Sequence, residues 1–220
     1  FTTLTPTLSV DALTGFGNVC TGTMAGPNTF TITGTNLSTA DVTVATLNGF
    51  TYSTDNITYT SSLSIGQPGG SFSQLIYVKF SPTLVQSYSG NISNAGGGAT
   101  TQNVAASGAG VQPALSVSPS SLSFGSVLIN TTSAEKTYAV SGSNLSPASG
   151  NITVTAPSGY EVSLTTATGF AASVSLAYSG SALASTTVYV RFKPTAVQSY
   201  SGNITNAGGG ATTQNVALTG

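Results

Sequence analysis

VQSYSGNISNAGGGATTQNVA, residues 85–105, returns as VQSYSGNITNAGGGATTQNVA at residues 197–217, and only Ser93 and Thr205 differ between the copies. A self-match at a period of about 110 residues is the mark of tandem modules. Further matches lie on either side. PTLSV (6–10) recurs as PALSV (113–117), Phe16-Gly17 as Phe124-Gly125, and ITGTNLS (32–38) as VSGSNLS (140–146). DVTV (41–44) recurs as NITV (151–154), and YVKFSPT (77–83) as YVRFKPT (189–195). The offset grows from 107 residues (Pro6 to Pro113) to 112 (Phe80 to Phe192), so insertions fall between the matched runs, where loops tolerate them. The chain therefore reads as two domains, residues 1–109 and 110–220. The linker, at about Gly108 to Pro113, is short and contains a proline, which restricts relative motion of the modules. Gly220 falls at the place of Gly108 in the repeat, which suggests an excerpt from a longer array or its last member.

Inside each module the apolar residues alternate with period two, the pattern of half-buried strands. Ile76, Val78 and Phe80 oppose Tyr77 and Lys79, and Val188, Val190 and Phe192 oppose Tyr189 and Arg191. Phe30 and Ile32 match Tyr138 and Val140, Val42 and Val44 match Ile152 and Val154, and Val104 matches Val216, with Leu218 added in the second copy. Helical three-four spacing is absent, and β-branched Thr, Val and Ile dominate. Gly and Pro clusters separate the runs. The expected fold class is all-β: two tandem immunoglobulin-like β-sandwiches of about seven antiparallel strands each. Tyr88 and Tyr200 stand early in the sixth strand, where a tyrosine corner belongs. The buried Trp and paired Cys of antibody domains are missing, since the chain has no Trp and one Cys.

Charge is scarce: 4% of residues, against about 25% in an average domain. Four Lys and Arg cannot form the basic stripe that nucleic acid requires. With a net charge of −1, electrostatic steering is weak. No run approaches the roughly 18 apolar residues of a membrane span, and the N-terminus lacks the basic and apolar regions of a signal peptide. Any such peptide has been removed or lies outside this sequence. Seven Asn-x-Ser/Thr sequons begin at Asn36, Asn56, Asn91, Asn130, Asn144, Asn151 and Asn203, as a Ser/Thr/Asn-rich chain produces by chance.

The segments LSVSPSSLSFGSV, YAVSGSNLS, NITVTAPSGYEVS, VYVRFKPT and YSGNITNAGGGATTQNVALTG together resemble the Ig-like repeats of large secreted and surface proteins of Bacteroidetes-type bacteria. Such repeats often accompany a C-terminal sorting domain for type IX secretion. The resemblance spans nearly all of the second module and most of the first. It implies spacers, stalks or adhesive repeats, with no catalytic residues to carry over.

The residues themselves point the same way. With no histidine, Ser-His-Asp and Cys-His catalysis and imidazole metal ligands are excluded. Glycoside hydrolysis needs two carboxyl groups about 5–10 Å apart. Asp11, Asp41, Asp55, Glu135 and Glu161 fall on different elements and do not recur between copies. No acidic run suits calcium. Lys79 suggests an isopeptide bond, but its counterpart Arg191 cannot form one. Cys20 suits a small buried apolar position, with an intermolecular disulfide as the lesser role. No enzyme activity, cofactor or metal is expected. Gly96, Gly97, Gly98 and Gly208, Gly209, Gly210 have no Lys or helix after them, so they read as hairpin tips and not as a phosphate loop. With Asn94 and Asn206 they are also candidate contact loops, because glycine lets a neighbouring backbone approach. Tyr52, Tyr77 and Tyr189 are candidates for a sugar-stacking platform.

Thr-rich strands with almost no Lys leave sheet edges chemically unprotected, so an edge engaged by a neighbour is expected. The chain is read as a non-catalytic structural or adhesive repeat of an extracellular filament, stalk or adhesin, secreted to the cell surface. Its expected partners are copies of itself or neighbouring repeats, with surface glycans as a further class. The alternative is a carbohydrate-binding or spacer module of a secreted enzyme.

Overall fold

The structure, a computed structural model, describes residues 4–220; the first residues of the expected module 1–109, Phe1 to Thr3, lie outside the described residues. It divides into two compact units between Val111 and Gln112. Unit 1 contains β1 (Thr7–Val10), β2 (Asn18–Cys20), β3 (Ala25–Leu37), β4 (Val42–Val44), β5 (Phe50–Ser53), β6 (Leu63–Ile65), β7 (Gly70–Phe80), β8 (Ser87–Gly96) and β9 (Ala99–Val111). Unit 2 contains β10 (Ala114–Ser118), β11 (Ser121–Ser123), β12 (Lys136–Ser143), β13 (Gly150–Thr155), β14 (Tyr160–Ser163), β15 (Ser173–Tyr178), β16 (Leu183–Phe192), β17 (Ser201–Gly208) and β18 (Ala211–Thr219). No helix occurs among the described residues.

Each unit is an immunoglobulin-like sandwich. In unit 1 a four-stranded sheet, β1-β3-β7-β5, faces a five-stranded sheet, β2-β9-β8-β4-β6; in unit 2 the orders are β10-β12-β16-β14 and β11-β18-β17-β13-β15. By position these are the A-B-E-D sheet and a G-F-C sheet flanked by A′ and C′ strands. The strand count is nine and not seven, for two reasons. The first strand is split, its halves joining opposite sheets, and a short strand is added beside β4 or β13. The chain also fills the D position (β5, β14) before the C′ position (β6, β15), reversing the alphabetical order. All pairings between named strands are antiparallel except β2 with β9 and β11 with β18, where the beginning of a module runs parallel to its end.

Period-two alternation creates the core. Ile76, Val78 and Phe80 are fully buried while Tyr77 and Lys79 between them are not, and β16 repeats the pattern. Each unit has its own apolar cluster. Without a disulfide or Trp, aromatic rings tie the two sheets together. Phe50 and Phe80 stack at 5.0 Å, Phe16 lies 5.8 and 5.7 Å from them, and Tyr88 of the opposite sheet meets Phe80 edge-on at 5.2 Å. Phe124, Tyr160, Phe192 and Tyr200 repeat the cluster in unit 2. Such pairs contribute about 0.5–1.5 kcal/mol each beyond area burial. The tyrosine corner is present twice: Thr83 and Leu84 N–H groups donate to the Tyr88 hydroxyl (3.2 and 3.1 Å), and Thr195 and Ala196 donate to Tyr200 (3.1 and 3.0 Å). Contacts with the Thr83 and Thr195 side chains, and then these N–H groups, hold both phenols below their ordinary pKa.

The structure revises two expectations. Gly108 to Val111 are not linker but the end of β9, because β2 and the Gln86 carbonyl give their backbone partners. The sheet edges are blunted by brevity instead of charge: β1, β2, β5 and β6 have three or four residues each, and the longest edge strand in unit 2, β15, has six.

Candidate functional site

The near-identical segments form the β8–β9 and β17–β18 hairpins. Gly97 and Gly98 make a two-residue turn with φ of 60° and 79°, and Gly209 and Gly210 repeat it at 62° and 70°, the all-positive signature of a type I′ turn. The preceding glycine has a different task. A Cβ on Gly96 would lie 2.0 Å from the Asp41 carbonyl oxygen, and one on Gly208 2.4 Å from that of Asn151. The second glycine is also committed inward, because a Cβ on Gly97 would strike Leu37 at 2.8 Å and one on Gly209 would strike Leu145 at 2.8 Å. Its carbonyl accepts the N–H of Ser38 or Ser146 at 2.9 Å. Packing within the module thus accounts for two of the three glycines, and only Gly98 and Gly210 are exposed.

Asn94 and Asn206 do not belong to a contact surface. Both are fully buried. The signal was available: Asn94 stands two residues after Ile92 and so faces the core with it, but a polar residue beside three glycines reads as part of a turn. Asn206 donates to the Gln214 carbonyl (3.1 Å) and accepts from the Tyr138 hydroxyl (2.9 Å). Burial pushes the Tyr138 phenol up, and Asn206 partly offsets this. Asn94 donates to the carbonyls of Ile92 (2.9 Å) and Gln102 (3.3 Å). The counterpart of Tyr138 is Phe30, and the Asn94 Oδ1 is buried without a hydrogen-bond partner.

The tyrosine platform is not assembled. Tyr52 is wholly buried, and desolvation pushes its pKa up to about 12 against a smaller opposing effect of the Leu47 backbone. Tyr77 and Tyr189 are half-buried. A feature that the sequence did not disclose is a cation on an aromatic ring in each unit: Lys79 lies 4.0 Å over Tyr59, and Arg191 lies 4.2 Å over Phe170.

Four of the five acids clasp loops or neighbouring strands. Asp55 accepts from the Ser53 hydroxyl (2.7 Å) and from the N–H groups of Ile57 (2.8 Å) and Thr58 (2.9 Å), which lower its pKa to about 2. Glu135 accepts from Thr166 (2.9 Å) and Ala167 (2.8 Å), and Asp41 from Ser64 (2.7 Å). Glu161 pairs across strands with Arg191 (2.5 and 2.6 Å), with Lys193 at 3.9 Å. Among the described residues no three His, Cys, Asp or Glu converge to hold a metal ion, and no helix is long and apolar enough to cross a membrane. Cys20 ends β2 opposite Val111 and is half-buried, more open than expected. Sequon residues Asn36, Asn56, Asn130 and Asn144 have φ between 52° and 60°, so asparagine has a conformational reason to stand there.

No family model matches the chain, and no curated protein matches it. Among solved structures the chain is similar to the complex "Dpr11 IG1 bound to DIP-gamma IG+IG2", with 11% identity over 97% of this chain and 96% of that one and a TM-score of 0.31. It is also similar to the secreted serine protease VesC from Vibrio cholerae, with 12% identity over 87% of this chain and 48% of that one and a TM-score of 0.28. Likenesses this slight carry no argument; the fold assignment rests on the strand order.

Proposed function

We propose that the chain is a non-catalytic mechanical repeat of an extracellular filament, stalk or adhesin, joined in series to further repeats and carried to the surface of a Bacteroidetes-type bacterium. One observation carries this reading: in each unit a strand near the beginning runs parallel to the last strand. Tension between the ends of a module pulls such strands in opposite directions along their own axes. The ladder bonds are then loaded together, in shear, and do not open one after another. Resistance to force is a kinetic property, set by the barrier to unfolding. The rest of the molecule agrees with this economy: the acids named above are spent on clasps, and the aromatic clusters bridge the sheets. A sugar platform finds no support in the arrangement of Tyr52, Tyr77 and Tyr189, and the short edges favour end-to-end joining over lateral pairing.

Thr21→Pro tests the proposal, since the Thr21 N–H donates to the Val111 carbonyl at 2.9 Å at the end of the parallel patch. In end-to-end single-molecule pulling, unit 1 of the variant is expected to yield at a clearly lower force while unit 2 is unchanged. Equal forces for variant and parent would refute a mechanical role for the patch.

A further inference from the structure

Of the 14 asparagines in the chain, only Asn48 is followed by glycine. Eleven are followed by Val, Ile, Leu or Thr, and the two followed by alanine, Asn94 and Asn206, are fully buried. Asn48 is exposed. It stands at the second position of a tight turn between β4 and β5, closed by the Phe50 N–H donating to the Leu47 carbonyl at 3.0 Å. Gly49 has a φ of 87°, which makes the turn type II. Among the described residues no hydrogen bond occupies the Gly49 N–H.

An exposed side-chain amide next to an unencumbered backbone nitrogen is a reactive pair. The Gly49 nitrogen, after losing its proton to hydroxide, attacks the Asn48 Cγ. A C–N bond forms, the side-chain nitrogen takes a proton from water and leaves as ammonia, and a cyclic imide results. Water then opens the ring at either carbonyl. Opening at Cγ leaves an ordinary aspartate at position 48. Opening at the main-chain carbonyl leaves the backbone running through the former side chain, longer by a CH2 group. The sum is amide plus water to carboxylate plus ammonium, with no oxidant and no cofactor.

We propose that Asn48 is a self-modification site, and that its conversion ages unit 1 alone. Glycine matters because a side chain on the next residue would stand against the attacking nitrogen. Unit 2 has the same turn without the reactive group: the Tyr160 N–H donates to the Pro157 carbonyl at 3.1 Å, Gly159 has a φ of 86°, and Ser158 fills the place of Asn48. The turn also restrains the reaction. In a type II turn the nitrogen between the two central residues lies away from the side chain of the first, so ring closure waits on a rotation of that peptide. Gly49 resists the rotation because its α-carbon is wedged against the core. A Cβ there would lie 2.8 Å from Tyr88 and 3.2 Å from Phe80, and its carbonyl accepts the Ser81 N–H at 2.8 Å. The same wedge makes the product disruptive. A lengthened backbone displaces Gly49 from the Tyr88 and Phe80 rings, which join the two sheets of unit 1. This chemistry proceeds whether or not the repeat carries force.

The test is to incubate the 220-residue chain at mildly alkaline pH and follow each asparagine by peptide mass mapping. Labelling with an isoaspartyl methyltransferase reports the lengthened linkage. Conversion at Asn48 is expected to run at least about tenfold ahead of every other asparagine, since no side chain shields the glycine nitrogen. Unit 1 of the converted protein is expected to melt at a lower temperature, with unit 2 unchanged. Asn48→Ser should abolish the conversion, and Ser158→Asn should create it in unit 2. Unfolding in urea should speed it by at least about tenfold, because the turn no longer restrains the peptide. Conversion at Asn48 no faster than elsewhere overturns the site. An unreactive Ser158→Asn variant overturns the claim that Asn-Gly suffices in this turn. Equal rates in folded and unfolded chains overturn the restraint, and equal melting of converted and fresh protein overturns the ageing of unit 1.

Discussion

Phe30 and Tyr138 hold the same place in the two modules, and the hydroxyl that separates them decides whether a buried asparagine is satisfied. Tyr138→Phe leaves the Asn206 Oδ1 without its donor at 2.9 Å and is expected to cost unit 2 about 1–3 kcal/mol in chemical denaturation. The reciprocal change, Phe30→Tyr, supplies Asn94 with the donor it lacks and is expected to raise the melting temperature of unit 1. A second residue-scale effect follows from Asp55, whose carboxyl is depressed from 3.8 to about 2 by the Ser53 hydroxyl and then the turn N–H groups. A depressed acid stabilises the fold fully above its unfolded pKa, and that contribution disappears as pH falls through the folded value. The Asp55 turn is therefore expected to hold above about pH 4 and to loosen toward pH 2. Asp55→Asn should remove most of this dependence, as read by exchange at Ile57 and Thr58. None of these residues announces its role in the sequence. Which side chains face each other across a sandwich depends on the register between sheets, and alternation along a single strand does not contain it.

At the scale of elements the long strands were legible, and of the three-residue strands only β4, through Val42 and Val44. β3, β7, β8 and β9 and their counterparts alternate over many residues, so one face must be buried. The split first strand and the three-residue β6 carry too few residues for a period, and the sheet each joins is decided by its partners. The same holds for the D and C′ positions, whose exchanged order no local pattern records. The hairpin tips were legible because three glycines in a row have few other uses, but their separate duties became visible only with β4 and Leu37 in place. Those duties make a graded prediction. Gly98→Ala meets only ordinary contacts, with Pro6 at 3.6 Å and the Ser38 hydroxyl at 3.9 Å, and is expected to cost about 1–2 kcal/mol, the price of a left-handed alanine. Gly96→Ala adds a 2.0 Å collision with the Asp41 carbonyl and is expected to cost more than about 3 kcal/mol. Comparable losses from both, measured by denaturation of unit 1, would contradict the assignment.

At the scale of the whole molecule, the proposed mechanical role rests on duplication, near-absence of charge and parallel closure of each module. Two separate cores make each unit self-contained, so the proposal has each unit yield independently under tension. The central claim concerns direction: force applied from end to end must load the parallel patches in shear, whereas force applied across an antiparallel hairpin need not. Single-molecule pulling with exchanged attachment points separates the two directly. End-to-end pulling is expected to give two unfolding events of nearly equal length, each about 350–400 Å for a module of this size. Attachment at Ser201 and Thr219, which face each other at the open end of β17 and β18, is expected to unzip unit 2 at a markedly lower force. Equal forces in the two geometries, or end-to-end unfolding in a single step, would contradict the account.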